Sequence, residues 1–448
     1  MKIDPVPTIP PEHDFRSERY WDARDLEQEM RRVFEICHGC RMCVNYCGSF
    51  PDVFAHVDRD IEKNGATGAE ELSATDMASA TDLCWQCKLC YIKCPYTADE
   101  NHPWLVDVPR LLTREKAQRS RRNGVPLQDK VLGEPQMLGE FGSGALAPLA
   151  NFVNANRLVR KVNEKVLGIS GEFPLPPFAP RSFEKWFAHH EPLPNAGSQG
   201  EVALFATCTG DYSFPSIPAN AVRVLEQNGL RVFRPAQTCC GMPNLDGGDI
   251  EAATRKAKIN VASFHAEVKA GRKIIVAGPT CSYMIKKEYP DLLGSEEARL
   301  VAENTLDLME YLDELRKTKK LDRSFQSGLG KVAYHAPCHL RAQKIGVPGA
   351  RILGLLPVTE VEIVEECSAV DGTWGMKAQY YAMGRKYAQK LVRGMEGAAA
   401  KVAVSDCSLA ALRIAKESGE RVLHPIELLA RAYGIAVADG DPQRSEGK

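Results

Sequence analysis

Residues 84–95 read CWQCKLCYIKCP: three cysteines at steps of three, a fourth four positions on, then proline. A second run, CHGCRMCVNYC, occupies residues 37–47. Three thiolates on one tight loop can each hold one iron of a [4Fe-4S] cubane. The fourth, carried onto the following turn, reaches away from that loop and ligates the other cluster of a pair. The spacing therefore assigns Cys37, Cys40, Cys43 and Cys94 to a first cluster, and Cys84, Cys87, Cys90 and Cys47 to a second. Zinc takes cysteines as two separated C-x-x-C pairs and suits these runs less well. Cys47 is followed by Gly48 and Cys94 by Pro95. Glycine keeps its N–H and proline has none, so the two clusters are expected to differ in hydrogen bonds to sulfur and in potential.

The other seven cysteines all stand at the ends of short apolar runs: VALFATC, RVFRPAQTCC, KIIVAGPTC, KVAYHAPC, VEIVEEC and KVAVSDC. Such runs, alternating with amphipathic helical segments, predict parallel strands covered by helices, with ligands gathering beyond the carboxyl ends of the strands. Cysteines 208, 240 and 281 recur as 338, 367 and 407, offset by 126 to 130 residues, which predicts two homologous βαβ-like halves.

In the first half Cys208, Cys239, Cys240 and Cys281 supply four thiolates, enough for one iron–sulfur cluster. Gly241 permits the sharp turn that lets the adjacent pair Cys239 and Cys240 face one site. A vicinal disulfide is the strained alternative. In the second half the doublet is broken as Glu366-Cys367-Ser368. Cys338, Cys367 and Cys407 remain, and three readings stand open: a cluster completed by Glu366 or His339, an iron open to substrate, or a half that has lost its cluster and is structural. His335, His424 and Asp371 read as helix or loop residues rather than ligands.

Elements must carry these groups. From Trp21 onward Leu26, Met30, Val33 and Cys37 fall on one helical face that leads into the first cysteine run, with Arg24, Glu29 and Arg32 read as its solvated side. Arg110, Arg114, Lys116, Arg119, Arg121 and Arg122 form a basic stretch, expected to be a solvated face or a dock for an acidic partner. Residues 149–167 predict one amphipathic helix with basic Arg157, Arg160, Lys161 and Lys165, either packed on a neighbour or lying on a membrane surface. The expected organisation is a two-[4Fe-4S] ferredoxin-like domain at 1–112 and a helical connector at 113–198. Two cysteine-rich α/β repeats follow at 199–330 and 331–440, with a disordered tail at 441–448. The fold class is α/β, with a mostly α N-terminal domain and a C-terminal pair of parallel-sheet repeats.

With 57 basic and 58 acidic side chains in 448 residues the net charge is -1, which argues against a nucleic-acid partner. The N-terminal residues show no apolar signal region, and no apolar run approaches ~18 residues. The expectation is a cytoplasmic protein, peripheral on the inner face of the cell membrane if the 149–167 helix meets lipid.

The order of two ferredoxin motifs, a connector, and paired repeats bearing TCCG, GPTCSYM and APCHL resembles the family of the iron–sulfur C subunit of anaerobic glycerol-3-phosphate dehydrogenase. More broadly it resembles the cysteine-rich iron–sulfur subunits of heterodisulfide reductase, glycolate oxidase and lactate utilisation. The resemblance implies electron transfer between a separate flavoprotein dehydrogenase, or another redox protein, and a quinone or other acceptor. It implies too a cluster on Cys208, Cys239, Cys240 and Cys281, of the non-cubane kind found in heterodisulfide reductases. Cys367 lacks its doublet partner, and Met284 and Ala410 stand where the heterodisulfide form has further cysteines. No G-x-G-x-x-G follows a strand, so hydride chemistry is expected of a partner. The alternative is an enzyme that itself reduces a disulfide or other small substrate at an iron–sulfur site in the repeats.

Overall fold

The computed structural model describes residues 3–435, so the tail expected at 441–448 lies outside the described residues. The chain forms two compact units, one of the residues up to Lys130 with Pro243–Glu251, the other of Val131–Met242 with the residues from Ala252 onward.

The first unit is mostly helical. Helix α1 (Ala23–Cys40) starts where the Asp22 carboxylate accepts from the N–H groups of Arg24 and Asp25, satisfying donors that a helix start leaves unpaired. Leu26, Met30 and Val33 are buried along one face, as their spacing predicts. The helix ends at Arg41 in the left-handed conformation (φ 52°), which turns the chain into the first cysteine loop. Then come α2 (Ser49–Asn64), α3 (Ala74–Asp82) with a Ser73/Asp76 capping box, α4 (Leu89–Lys93) between cysteines of the second run, and α5 (Val108–Asn123).

Two charge readings are corrected here. Arg32 is buried, not solvated: its guanidinium donates to Glu29 at 2.6 Å and to the main-chain oxygens of Pro5 (2.6 Å) and Trp104 (2.8 Å). The basic stretch of α5 is divided: Arg114 is buried, Arg110, Lys116 and Arg119 are half-buried, and Arg121 and Arg122 stay exposed. Arg114 donates to Tyr20 O (2.8 Å) and Asp25 (2.8 Å), Lys116 to Cys84 O (3.2 Å), Arg119 pairs with Asp82, and Arg121 lies 4.4 Å over the Trp21 ring. Turns and helix ends leave carbonyl oxygens without partners, and multi-donor cations satisfy several at once.

The second unit holds two four-stranded parallel sheets. Strands β1 (Gly200–Phe205), β2 (Leu230–Phe233), β3 (Lys273–Val276) and β4 (Thr305–Asp307) are ordered β2-β1-β3-β4. Strands β5 (Gly330–His335), β6 (Thr359–Val364), β7 (Val402–Ser405) and β8 (Val422–Leu423) are ordered β6-β5-β7-β8. The repeat read from the cysteines is thus a repeat of topology.

The repeats pack on one another with pseudo-two-fold symmetry. Helix Ser216–Gln227, which follows β1, lies on Pro425–Ala432, which follows β8; helix Leu308–Lys317, which follows β4, lies on Pro348–Leu353, which follows β5. Leu204, Val222, Leu225 and Leu312 of the first repeat share one core with Tyr334, Ile352, Leu353 and Leu429 of the second. The helix expected over 149–167 is two, Ala147–Ala155 and Arg157–Leu167. Asn156 divides them, its side chain accepting from Leu158 and Val159 N–H as the second helix begins.

Candidate metal centres

In the first unit Cys37, Cys40, Cys43 and Cys94 line one pocket with Ile36, Phe50, Phe54 and Val106. Cys47, Cys84, Cys87 and Cys90 line another with Tyr46, Trp85, Lys88 and Val108. The fourth cysteine of each run therefore stands with the first three of the other. Burial, followed by the nearness of Cys94, Cys43 and Cys40, pushes the Cys37 thiol well up, and burial with Cys94 and Cys40 takes Cys43 up to about 12. Burial raises Cys90 above all, with Cys84 and Cys47 adding to it and Cys43 and Cys37 of the other pocket also felt. Four desolvated thiols around an apolar pocket suit a cationic iron core, which stabilises the thiolates that burial disfavours.

The two pockets differ. In the second, Cys47, Cys84 and Cys87 are buried, and so is Lys88, with Nζ 2.8 Å from Gln86 Oε1 and 3.9 Å from Asp246 Oδ1. Gln86 and Lys88 both take positive φ (53° and 63°), which folds the loop tightly and turns Gln86 N–H onto Cys84 Sγ at 3.4 Å. In the first, the residue matching Lys88 is Arg41, exposed and paired with Asp58 at 2.6 Å; its neighbour Met42 is exposed too. Beside it, the Tyr96 hydroxyl bonds Cys40, and the Tyr96 ring packs against His102 and Trp104.

In the first repeat Cys208 opens the short helix Cys208–Tyr212, Cys281 lies in Pro279–Tyr283, and Cys239-Cys240 follow β2. All four thiols are free and meet through hydrogen bonds, Cys208 with Cys239, Cys239 with Cys240, and Cys240 with Cys281. Their mutual bonds, then burial, push Cys208 and Cys240 well up, while bonds received from Cys208 and Cys240 bring Cys239 down. Gly241 takes φ 89°, and a Cβ there would stand 3.2 Å from Ala253 Cα, so the turn after the doublet needs glycine. The doublet is braced from two sides. Cys239 N–H and Thr238 Oγ1 both donate to Gln136 Oε1 at 2.7 Å, and Tyr289 donates to Cys240 O at 3.0 Å while accepting from Asn260 Nδ2 at 2.9 Å. The donor set fits an iron–sulfur cluster, and the braces position it.

In the second repeat Cys338 opens Cys338–Ala342, and Cys407 caps the helix Ser408–Ser418. Burial raises Cys338 first, and the nearness of Cys367, Asp371 and Cys407 adds to it; burial takes Cys407 up to about 11, where Cys281 of the first repeat also acts. Glu366 is exposed, and its main-chain oxygen accepts from His335 Nε2 at 3.2 Å. His335 also bonds Ser405, and His424 caps Pro425–Ala432; burial holds them down at about 4 and about 3. Asp371, read from the sequence as a helix or loop residue, does lie in a turn, and from there its carboxylate stands with Cys338 and His339 as a group that could hold a metal ion. Nothing in the spacing marks it, because it reaches the group through a loop that tertiary packing places.

Comparison with known proteins follows the same divisions. The citrate utilization protein B Fer4-like domain matches residues 30–122, and the CCG cysteine-rich domain matches twice, at 202–286 and 332–413. The C subunit of anaerobic glycerol-3-phosphate dehydrogenase from Escherichia coli (strain K12) is 27% identical over 405 residues, covering 89% of this chain and 98% of that protein. Lactate utilization protein A of an Exiguobacterium species is 29% identical over 187 residues, covering 39% of this chain and 74% of that protein. Lactate utilization protein A 2 of Bacillus cereus (strain Q1) is 25% identical over 248 residues, covering 52% of this chain and 98% of that protein. The chain thus joins a match to a Fer4-like domain to two matches to the CCG cysteine-rich domain, and it is similar to the C subunit of anaerobic glycerol-3-phosphate dehydrogenase along most of its length.

Proposed function

We propose that the chain is an electron-transfer subunit that passes electrons between a flavoprotein dehydrogenase and a quinone or other acceptor. In this reading Cys37, Cys40, Cys43 and Cys94 hold one [4Fe-4S] cluster, Cys84, Cys87, Cys90 and Cys47 a second, and Cys208, Cys239, Cys240 and Cys281 a further iron–sulfur cluster. The observation that carries it is the exchange of Cys47 and Cys94 between the two pockets of the first unit, the arrangement that lets two clusters share one fold. Bound clusters supply one-electron carriers; the protein's part is to hold them, screen them and set their charge surroundings. Exposed Met42 and the Tyr96–Trp104 aromatic group beside the first pocket suit exchange with a partner, and the buried Lys88 suits a more enclosed second site.

Peripheral membrane contact belongs to the same proposal. No helix among the described residues is long and apolar enough to cross a membrane. Phe152, Leu158, Val162 and Val166 on the paired helices of 147–167 are 57–74% exposed, with exposed Arg157, Lys161 and Lys165 beside them. An apolar face with flanking cations suits an anionic bilayer surface.

Anaerobic purification followed by iron and acid-labile sulfide analysis, with EPR of the reduced chain, tests the assignment. Cys94→Ser should abolish the signal of the first-run cluster and Cys47→Ser that of the second-run cluster. The converse pairing overturns the exchange. Oxidation of glycerol 3-phosphate or a 2-hydroxy acid by the cluster-loaded chain alone overturns the electron-transfer reading.

A further inference from the structure

Where the second repeat has lost its cysteine doublet, it presents a different donor set. The Cys338 thiol, a ring nitrogen of His339 and a carboxylate oxygen of Asp371 lie within 4.8 Å of one another. His339 and Asp371 side chains are 1% and 2% exposed, with Nε2 3.5 Å from Asp371 Oδ1. The ring is fixed on its other edge and on its face. Nδ1 lies 3.0 Å from Thr280 Oγ1, and the Tyr283 ring stacks on it at 5.3 Å with planes 19° apart. A histidine whose Nδ1–H is donated to an oxygen presents its Nε2 lone pair to a metal, the usual support for a ligating imidazole. Cys367, the one cysteine left at the broken doublet, is the next thiol, and its charge acts on Cys338.

Thiolate, imidazole and carboxylate together are the ligands of a borderline ion rather than of an iron–sulfur core, which takes mainly sulfur. With bonds of ~2.0–2.3 Å, two ligands of one tetrahedral zinc ion stand roughly 3.3–3.8 Å apart. The observed group is already near that span. We propose that Cys338, His339 and Asp371, completed by Cys367, form a mononuclear site for a divalent transition-metal ion of the zinc class, so that the second repeat carries one redox-inert ion. Four protein ligands leave no open position, and the ion ties the start of helix Cys338–Ala342 to the loop that follows β6. The assignment goes beyond the electron-transfer proposal and does not depend on it.

The test is metal analysis of the full-length, anaerobically purified chain, with X-ray absorption at the zinc edge, which does not see iron. About one zinc per chain, in a mixed shell of two sulfurs and two nitrogen or oxygen atoms, is expected. Asp371→Ala and His339→Ala should each weaken zinc retention by roughly 10–100-fold with iron and labile sulfide unchanged. Absence of zinc, an all-sulfur shell, or loss of iron and sulfide in these variants would overturn the proposal. Should either variant fail to fold, the shell measured on the unaltered chain decides alone. None of these outcomes alters the EPR of the first-unit clusters, so failure here is distinct from failure of the electron-transfer reading.

Discussion

Tyr289 donates its phenolic hydrogen to the main-chain oxygen of Cys240 at 3.0 Å, in a site where the ring is fully buried and Asn260 donates back to the same hydroxyl. The bond holds the cysteine doublet from behind, through the backbone, and leaves its thiols turned to Cys208 and Cys281. Tyr289→Phe should destabilise the second unit by about 1–3 kcal/mol, since it takes the phenolic donor from the buried Cys240 carbonyl. Thermal unfolding measures that cost, and iron analysis should show loss confined to the first-repeat site. Unchanged stability would mean that the brace carries no energy.

Lys88 places a buried cation within the loop of the second cysteine run. A positive charge favours the reduced, more negative cluster, and in a protein interior the effect survives at several ångströms. Lys88→Met should lower the midpoint potential of the second-run cluster by on the order of 50–100 mV, Asp246 at 3.9 Å offsetting part of the lysine's influence. The first-run cluster, whose matching Arg41 is exposed, should respond far less to Arg41→Met. Redox titration followed by EPR compares the two.

Asp307 caps helix Leu308–Lys317, and burial takes its carboxyl up to about 7. An acid raised on folding keeps its proton in the native state after the unfolded chain has lost it. Between about pH 4 and pH 7 the folded form therefore binds more protons, and stability falls as pH rises through that window. Asp307→Asn keeps a cap-forming side chain and removes the titration. The variant should gain roughly 2–4 kcal/mol over the parent at pH 8 relative to pH 4. Denaturant unfolding at both pH values checks the sign.

The apolar side chains on the paired helices of 147–167 give the membrane proposal its measurement. The chain should co-float with anionic vesicles, less so in high salt and little with neutral ones. Leu158→Glu with Val162→Glu, both exposed and so harmless to folding, should cut vesicle binding at least about tenfold. Equal binding by parent and variant would show that lipid is not what this face meets.

Cluster-forming cysteines were legible because cluster chemistry fixes spacing. Strand-end cysteines were legible because apolar runs of four to six residues declare a parallel sheet. What spacing does not encode is what a side chain meets after folding. Arg32 and Arg114 have the composition of a solvated face and are buried against main-chain oxygens. Lys88 and Arg41 occupy matching places with opposite exposure. Strands β4 and β8, of three and two residues, are too short to show a period. Asp371 meets His339 only through loop packing, and Asn156, which splits the 149–167 helix, acts through a cap that the apolar stripe masks.

The pseudo-two-fold packing of the repeats is self-complementary: each half offers the same pair of helices that it receives. A lone ancestral half bearing that face would pair with a copy of itself, and every change in its sequence would then strike both sites at once. Joining two copies in one chain ends that constraint. One half can keep its cysteine doublet while the other holds Cys367 alone, so the two sites can diverge without loss of the interface that holds the halves together.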